Sequence, residues 1–176
     1  KGEMRKVLSI SGNTLILDKP LSIEYKTVVQ GGITYKPRVS SIDVVQNVGI
    51  EDLRITRSLR AGAAIYINNA YRCRIMGVET HNAHNKHIYL NTTYKCEVVN
   101  CYLNNSPTFD DPGSYDQGYG IDIHNYSSDN LIENNVFYRI KCSIMFHFGG
   151  SGNVASYNYI HNSTWGWGLS FHGMYS

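Results

Sequence analysis

Three side chains in the second half of the chain could move a proton. Asp122 and His124 stand two residues apart in Ile121-Asp122-Ile123-His124, with isoleucines at the alternate positions. On a β-strand that spacing puts both polar side chains on one face, with Cα atoms about 6.6 Å apart. His147 ends the related stretch Ile144-Met145-Phe146-His147. A carboxylate with two imidazoles suits general acid–base chemistry or metal binding; the same residues would equally make an ordinary solvated polar face.

The segment from Pro107 to Tyr119 leads directly into the Asp122 strand, and is expected to overhang its face. It carries Asp110, Asp111 and Asp116 among the aromatics Phe109, Tyr115 and Tyr119. Aromatic faces stack on pyranose rings and carboxylates bind hydroxyls, so this composition suits a sugar, although a loop without function would read the same way. Glycosidases place two carboxylates across the scissile bond, and Asp122 with Asp110, Asp111 or Asp116 could supply them.

Other motifs carry less. His81-Asn82-Ala83-His84-Asn85-Lys86-His87 has metal-like spacing, but zinc needs three or four converging ligands with a second shell, so no metal site is assigned. Gly149-Gly150-Ser151-Gly152 precedes no helix and is read as a turn, not a phosphate loop. Asn91-Thr92-Thr93 and Asn125-Tyr126-Ser127 fit the glycosylation sequon.

The elements that must hold these residues repeat. Ile65-Tyr66-Ile67-Asn68 aligns with Ile88-Tyr89-Leu90-Asn91 at an offset of 23, and Tyr71, Cys73 and Ile75 align with Tyr94, Cys96 and Val98. Ile121 to His124 aligns with Ile144 to His147 at the same offset, as do Asn130 with Asn153, Asn135 with Asn158 and Phe137 with Ile160. A further copy is expected to begin at Trp167, at that same offset from Ile144, and a looser one runs from Val48 to Ile55. Between the two clear pairs a loop near residues 104–119 lengthens the register.

Each copy holds three short stretches with apolar residues at alternate positions, too short to bury a face alone. Stacked about 4.8 Å apart they form three parallel sheets around one core. The fold expected is therefore all-β, a right-handed single-stranded parallel β-helix of about 23 residues per coil over residues 41–176. Positions 65, 88, 121, 144 and 167 should form one inward column, and Asn135 over Asn158 a ladder at a corner. Cys73 over Cys96 reads as a stack of small apolar side chains, with a disulfide as the alternative that geometry would decide. Residues 1–40 read as a cap-like segment with a β-hairpin around Ser11-Gly12-Asn13. The chain stops at Ser176 inside a copy, so further coils or a covering segment are expected beyond it, and open solenoid ends would permit self-association.

Composition agrees. Strong helix formers dominate no stretch, asparagine is frequent, and there are 14 Tyr, which favours short strands joined by turns. A formal charge of +2 gives no reason to expect a nucleic-acid or anionic-membrane partner, and no apolar run is long enough for a membrane-spanning helix.

With the repeat in hand, the sequence resembles the pectate-lyase-like superfamily of parallel β-helix proteins. The likeness lies in Gly12 to Leu21, Asn47-Val48-Gly49-Ile50-Glu51-Asp52-Leu53, Asn130 to Phe137, and Gly152 to Tyr159 followed by His172-Gly173. It implies an extracellular or cell-surface protein that binds a polysaccharide and, if an enzyme, cleaves it as a lyase or glycoside hydrolase. The superfamily also includes non-enzymatic adhesins, so a structural, adhesive or filament-forming solenoid is the alternative. Active members place the site on the first sheet and the loops before it. Here that sheet would carry Tyr66, Asn68, Tyr89, Asn91, Asp122, His124, Met145, His147, Ser170 and His172 outward. This assigns Asp122, His124 and His147 to catalysis, and Tyr66, Tyr89, Asp110, Asp111, Tyr115, Asp116 and Tyr119 to substrate binding. No cofactor is implied unless the protein is a lyase, which would call for Ca²⁺ or for a cation near the uronate carboxylate; none of the outward positions is Arg or Lys. The polygalacturonase-like pieces Asp110-Asp111, Arg139-Ile140-Lys141 and His172-Gly173 occur in the wrong order and are taken as coincidence.

Overall fold

A computed structural model of the chain describes residues 2–57, 62–111, 117–148, 150–164 and 169–172. Among these residues there is no helix. Three parallel sheets of six, five and five strands form a β-solenoid, in which each strand pairs with its counterpart one coil away.

The first sheet contains Ala63–Tyr71, Lys86–Tyr94, Tyr119–His124, Cys142–His147 and Leu169–His172, preceded by Val45–Gln46. Its registers are Ile65↔Ile88, Ile88↔Ile121 and Ile121↔Ile144, so these four isoleucines form one buried column. The second sheet stacks Ile50, Ile75, Val98, Ile132 and Ala155, and the third stacks Ile55, Thr80, Leu103, Phe137 and Ile160. The inward apolar members of the three sheets make one continuous core.

The final column position differs from expectation. Ile144 pairs with Leu169, not with residue 167, and Met145 pairs with Ser170. The third sheet still keeps the regular repeat spacing at Ile140↔Ser163. Two extra residues therefore enter the corner between Ser163 and Leu169. An even insertion preserves the alternation of faces, so Leu169 replaces Trp167 without inverting the strand. Trp167 itself lies outside the described residues.

The corners explain the asparagine content. Of the seventeen non-glycine residues described with positive φ, eight are Asn. Asn tolerates the left-handed region because its short amide can bond the local backbone. Other asparagines point inward as a ladder. Asn158 Oδ1 accepts from the Asn135 backbone N–H at 3.0 Å, and Asn135 Oδ1 accepts from the Cys101 N–H at 2.9 Å. In the neighbouring column Asn153 Oδ1 accepts from Asn130 N–H, Asn130 Oδ1 from Cys96 N–H, and Cys96 Sγ from Cys73 N–H at 3.4 Å. Cysteine thus occupies ladder positions in the earlier coils, with sulfur continuing the role of the amide oxygen.

Arg5–Asp43 forms a separate compact unit. It holds the expected hairpin, Val7–Ser11 against Thr14–Leu17, and a second hairpin, Val28–Gln30 against Ile33–Tyr35, around Gly31-Gly32. The second turn needs positive φ at both glycines. Residues 2–4 belong with the solenoid: the Met4 N–H donates to Ser128 Oγ at 3.2 Å, and Ser151 Oγ–H to Glu3 Oε2 at 2.9 Å.

Candidate functional site

Three outward columns of the first sheet build the site. The registers align Lys86, Tyr119 and Cys142 in one column, and Tyr66, Tyr89, Asp122 and Met145 in the next; Asn68, Asn91 and His124 share a third, which His147 continues. Asp122 is shorter than Tyr89 and Met145, which flank it on the adjoining coils.

That setting removes Asp122 from solvent. Its side chain is fully buried, and His147 is only 6% exposed. The solvated face expected around these residues is therefore corrected: the side chains point outward from the sheet but lie beneath their neighbours. Asp122 Oδ1 stands 2.8 Å from His147 Nδ1. An ionised carboxylate offers only acceptors, so the His147 N–H donates. Asp122 Oδ2 stands 3.4 Å from Lys86 Nζ. The ammonium also lies over the rings of Tyr89 and Tyr119, at 5.1 and 5.4 Å.

His124 is the imidazole that remains half-exposed. Its ring touches Tyr89, His147 and Phe148, with centroids 5.5, 5.1 and 5.0 Å away. Burial lowers its pKa below the ordinary histidine value, only partly opposed by the Asp122 charge, so it is a neutral base at pH 7. Burial and the Asp122 charge push the Tyr89 phenol up to about 12. They push the Cys142 thiol up to about 12 as well, which leaves it protonated and unsuited to be a nucleophile.

Of the residues expected to bind substrate, Tyr66 and Tyr89 stack in register at 4.9 Å and 11°, with Tyr66 54% exposed. Asn91 Nδ2–H donates to Asn68 Oδ1 at 2.7 Å beside them, and Asn125 Nδ2–H to Asn91 Oδ1 at 2.9 Å. Tyr119 is fully buried and cannot contact a ligand there, because it packs with Cys142 and Met145. The described part of the inserted loop runs along the corner instead of joining Asp122. Asp110 pairs with Arg139 at 3.0 Å, Arg139 lies over the Phe109 ring, and the Asp111 carbonyl accepts from buried Lys141 Nζ at 2.7 Å. Tyr115 and Asp116 lie outside the described residues, as does the side chain of His172.

Sequence reasoning missed Lys86. It precedes Tyr89 on the same strand and pairs in register with Tyr119, which places a cation on the sheet where none was expected. The alternation gave no signal for it: Lys86 shares the parity of inward Ile88 and Leu90, and buried His87, bonded to Thr80, breaks that alternation at the start of the strand. The histidine-rich stretch does not converge. His81 bonds Asn104, and buried His87 Nδ1 bonds Thr80 Oγ1 at 2.8 Å. Among the described residues no three His, Cys, Asp or Glu side chains cluster so as to hold a metal ion.

Comparison with models of protein families, with curated proteins and with solved structures finds no match to this chain.

Proposed function

We propose that this chain is a secreted, carbohydrate-active β-helix protein of the pectate-lyase-like kind, binding a polysaccharide along the first sheet and cleaving it by proton transfer. The observation that carries this reading is the Asp122–His147–Lys86 cluster, buried beside a half-exposed neutral imidazole. Burying a carboxylate is costly unless it is paired, and a face needed only for stacking has no use for one. In this reading His124 is the acid–base group that meets the sugar. Asp122 and His147 position it, Lys86 balances the Asp122 charge, and the Tyr66–Tyr89 stack offers a platform for a pyranose ring. Among the described residues Asp122 is the one carboxylate on the face, and Asp110 pairs with Arg139; this favours elimination with an imidazole base over hydrolysis by two carboxylates.

A non-catalytic structural or adhesive solenoid is the second reading. It is favoured by the same burial, since a closed ion pair can serve packing alone. The experiment is a panel of uronate-containing and neutral polysaccharides incubated with the protein, followed by Asp122→Asn and His124→Ala on any that is cleaved. The enzyme reading expects each substitution to lower turnover by roughly 10²-fold. A panel left uncleaved favours the structural reading, and cleavage that survives both substitutions moves the site elsewhere.

A further inference from the structure

The corner between the first and second sheets carries an open groove of about 470 Å³. Arg72, Arg74 and Lys95 line it, and Cys73 and Cys96 lie between them. Neither Cys73 nor Cys96 is in a disulfide, and the other two cysteines, Cys101 and Cys142, do not line the groove.

Cys73 and Cys96 are neighbours by register. The adjoining pair is Arg74↔Glu97, so Cys96 stands directly beside Cys73 on the next coil. The Cys73 N–H donates to Cys96 Sγ at 3.4 Å, while the Cys73 thiol donates to the Val45 and Tyr71 carbonyls and the Cys96 thiol to the Tyr94 carbonyl, each at 3.7 Å. Residues in register on adjacent coils have Cα atoms about 4.8 Å apart, inside the range of about 4.4–6.8 Å over which a disulfide can close. The rim is cationic on both coils: Arg72 and Arg74 on one, Lys95 on the next. Glu97, 3.4 Å from Arg74, and Asp129 are the anions that oppose them.

We propose that Cys73 and Cys96 form a dithiol site that a small anionic disulfide oxidises to a disulfide joining two adjacent coils. Cys73 is the less buried residue of the two, at 5% exposure against 2%, and reacts first. Its sulfur, as thiolate, attacks one sulfur of the reagent; the reagent S–S bond breaks and one thiolate leaves. Cys96 then loses its proton and attacks the Cys73 sulfur of this mixed disulfide. The Cys73–Cys96 bond forms and the second reagent thiol departs. The protein loses two electrons and two protons, and the reagent gains them as two thiols. Burial pushes the Cys96 thiol up to about 11, which holds it protonated and slows the second step, so that step relies on its proximity to the mixed disulfide. The cationic rim draws an anionic reagent to the groove.

The test uses the reduced protein with oxidised glutathione, read by intact and peptide mass spectrometry. The expected product has lost two hydrogen atoms, yields a Cys73–Cys96 linked peptide, and leaves Cys101 and Cys142 open to alkylation after unfolding. Cys96→Ser should trap glutathione on Cys73, and Cys73→Ser should leave Cys96 unmodified. Arg72→Glu combined with Lys95→Glu should slow the wild-type crosslink by roughly tenfold at low salt. No crosslink, a crosslink through Cys101 or Cys142, or glutathione on Cys96 in Cys73→Ser would each overturn the proposal. An unchanged rate in the charge-reversed protein would overturn its anionic reagent.

Discussion

Acid should weaken this solenoid through one histidine in particular. His87 is fully buried, and its pKa falls from the ordinary 6.5 to about 3. Burial is the main cause; a hydrogen bond to the Thr80 backbone opposes it, and the His81 charge adds to it. The folded state thus keeps His87 neutral at pH values where the unfolded chain binds a proton. As pH drops below about 6.5 the unfolded state gains that proton alone, so stability is lost steadily down to about pH 3 and is untouched above 6.5. Between pH 7 and pH 5 the gap spans about 1.5 pH units, worth about 2 kcal/mol. Urea unfolding of the wild type and of His87→Gln at pH 7, 6 and 5 isolates this contribution, since the other titrating groups are common to both. The wild type should lose more stability than the variant over that range, by the amount just given. Equal losses would refute the assignment of a neutral, proton-excluding His87.

Asn135→Ala should cost about 3 kcal/mol in urea unfolding, because it strands the Cys101 N–H and the Val98 carbonyl in the core. Gly120→Ala should destabilise more strongly, and lower the melting temperature accordingly, since an added Cβ would run into the Ser143 carbonyl and come within 2.8 Å of the Phe137 ring. Gly12→Ala meets nothing within 4 Å and should cost only the strain of its positive φ, about 1 kcal/mol in the same assay. If a polysaccharide is cleaved, Tyr66→Ala should raise KM several-fold with kcat nearly unchanged, as loss of a binding platform does. The acid limb of the pH–rate profile should lie below 6.5, because a depressed His124 stays unprotonated until the pH falls beneath its own pKa.

The columns of the solenoid were legible because stacking demands like residues at fixed spacing. Ile65, Ile88, Ile121 and Ile144 are isoleucine for that reason, and their offsets reproduce the registers. The Asn135–Asn158 pair was legible on the same ground. The position of Leu169 was not, because two residues inserted at a corner leave the alternation of faces intact and so leave no trace in the apolar pattern. Which side chains share a sheet face could be read, and the stacking of His124 with His147 followed from their spacing. Whether that face is wet could not. Solvent access to Asp122 depends on the sizes of Tyr89, Met145, Tyr119 and Cys142 across three coils, not on its own strand. The Asp110–Arg139 pair was equally out of reach, because its partners are distant in the chain and the loop path decides their meeting.

The ladder has a polarity with consequences for how the chain is made. Asn153 supplies an acceptor to Asn130, Asn130 to Cys96, and Asn158 to Asn135, always backwards to the preceding coil. A coil emerging from the ribosome therefore leaves buried N–H groups waiting for side chains not yet synthesised. Completion passes along the chain with a lag of one turn, so the growing tip is always the least finished part. An interruption that spares the early coils still strips the last completed one of its partners, whereas loss of an early coil leaves the acceptors of the later ones in place. Stability along such a rod is inherited from the turn that follows.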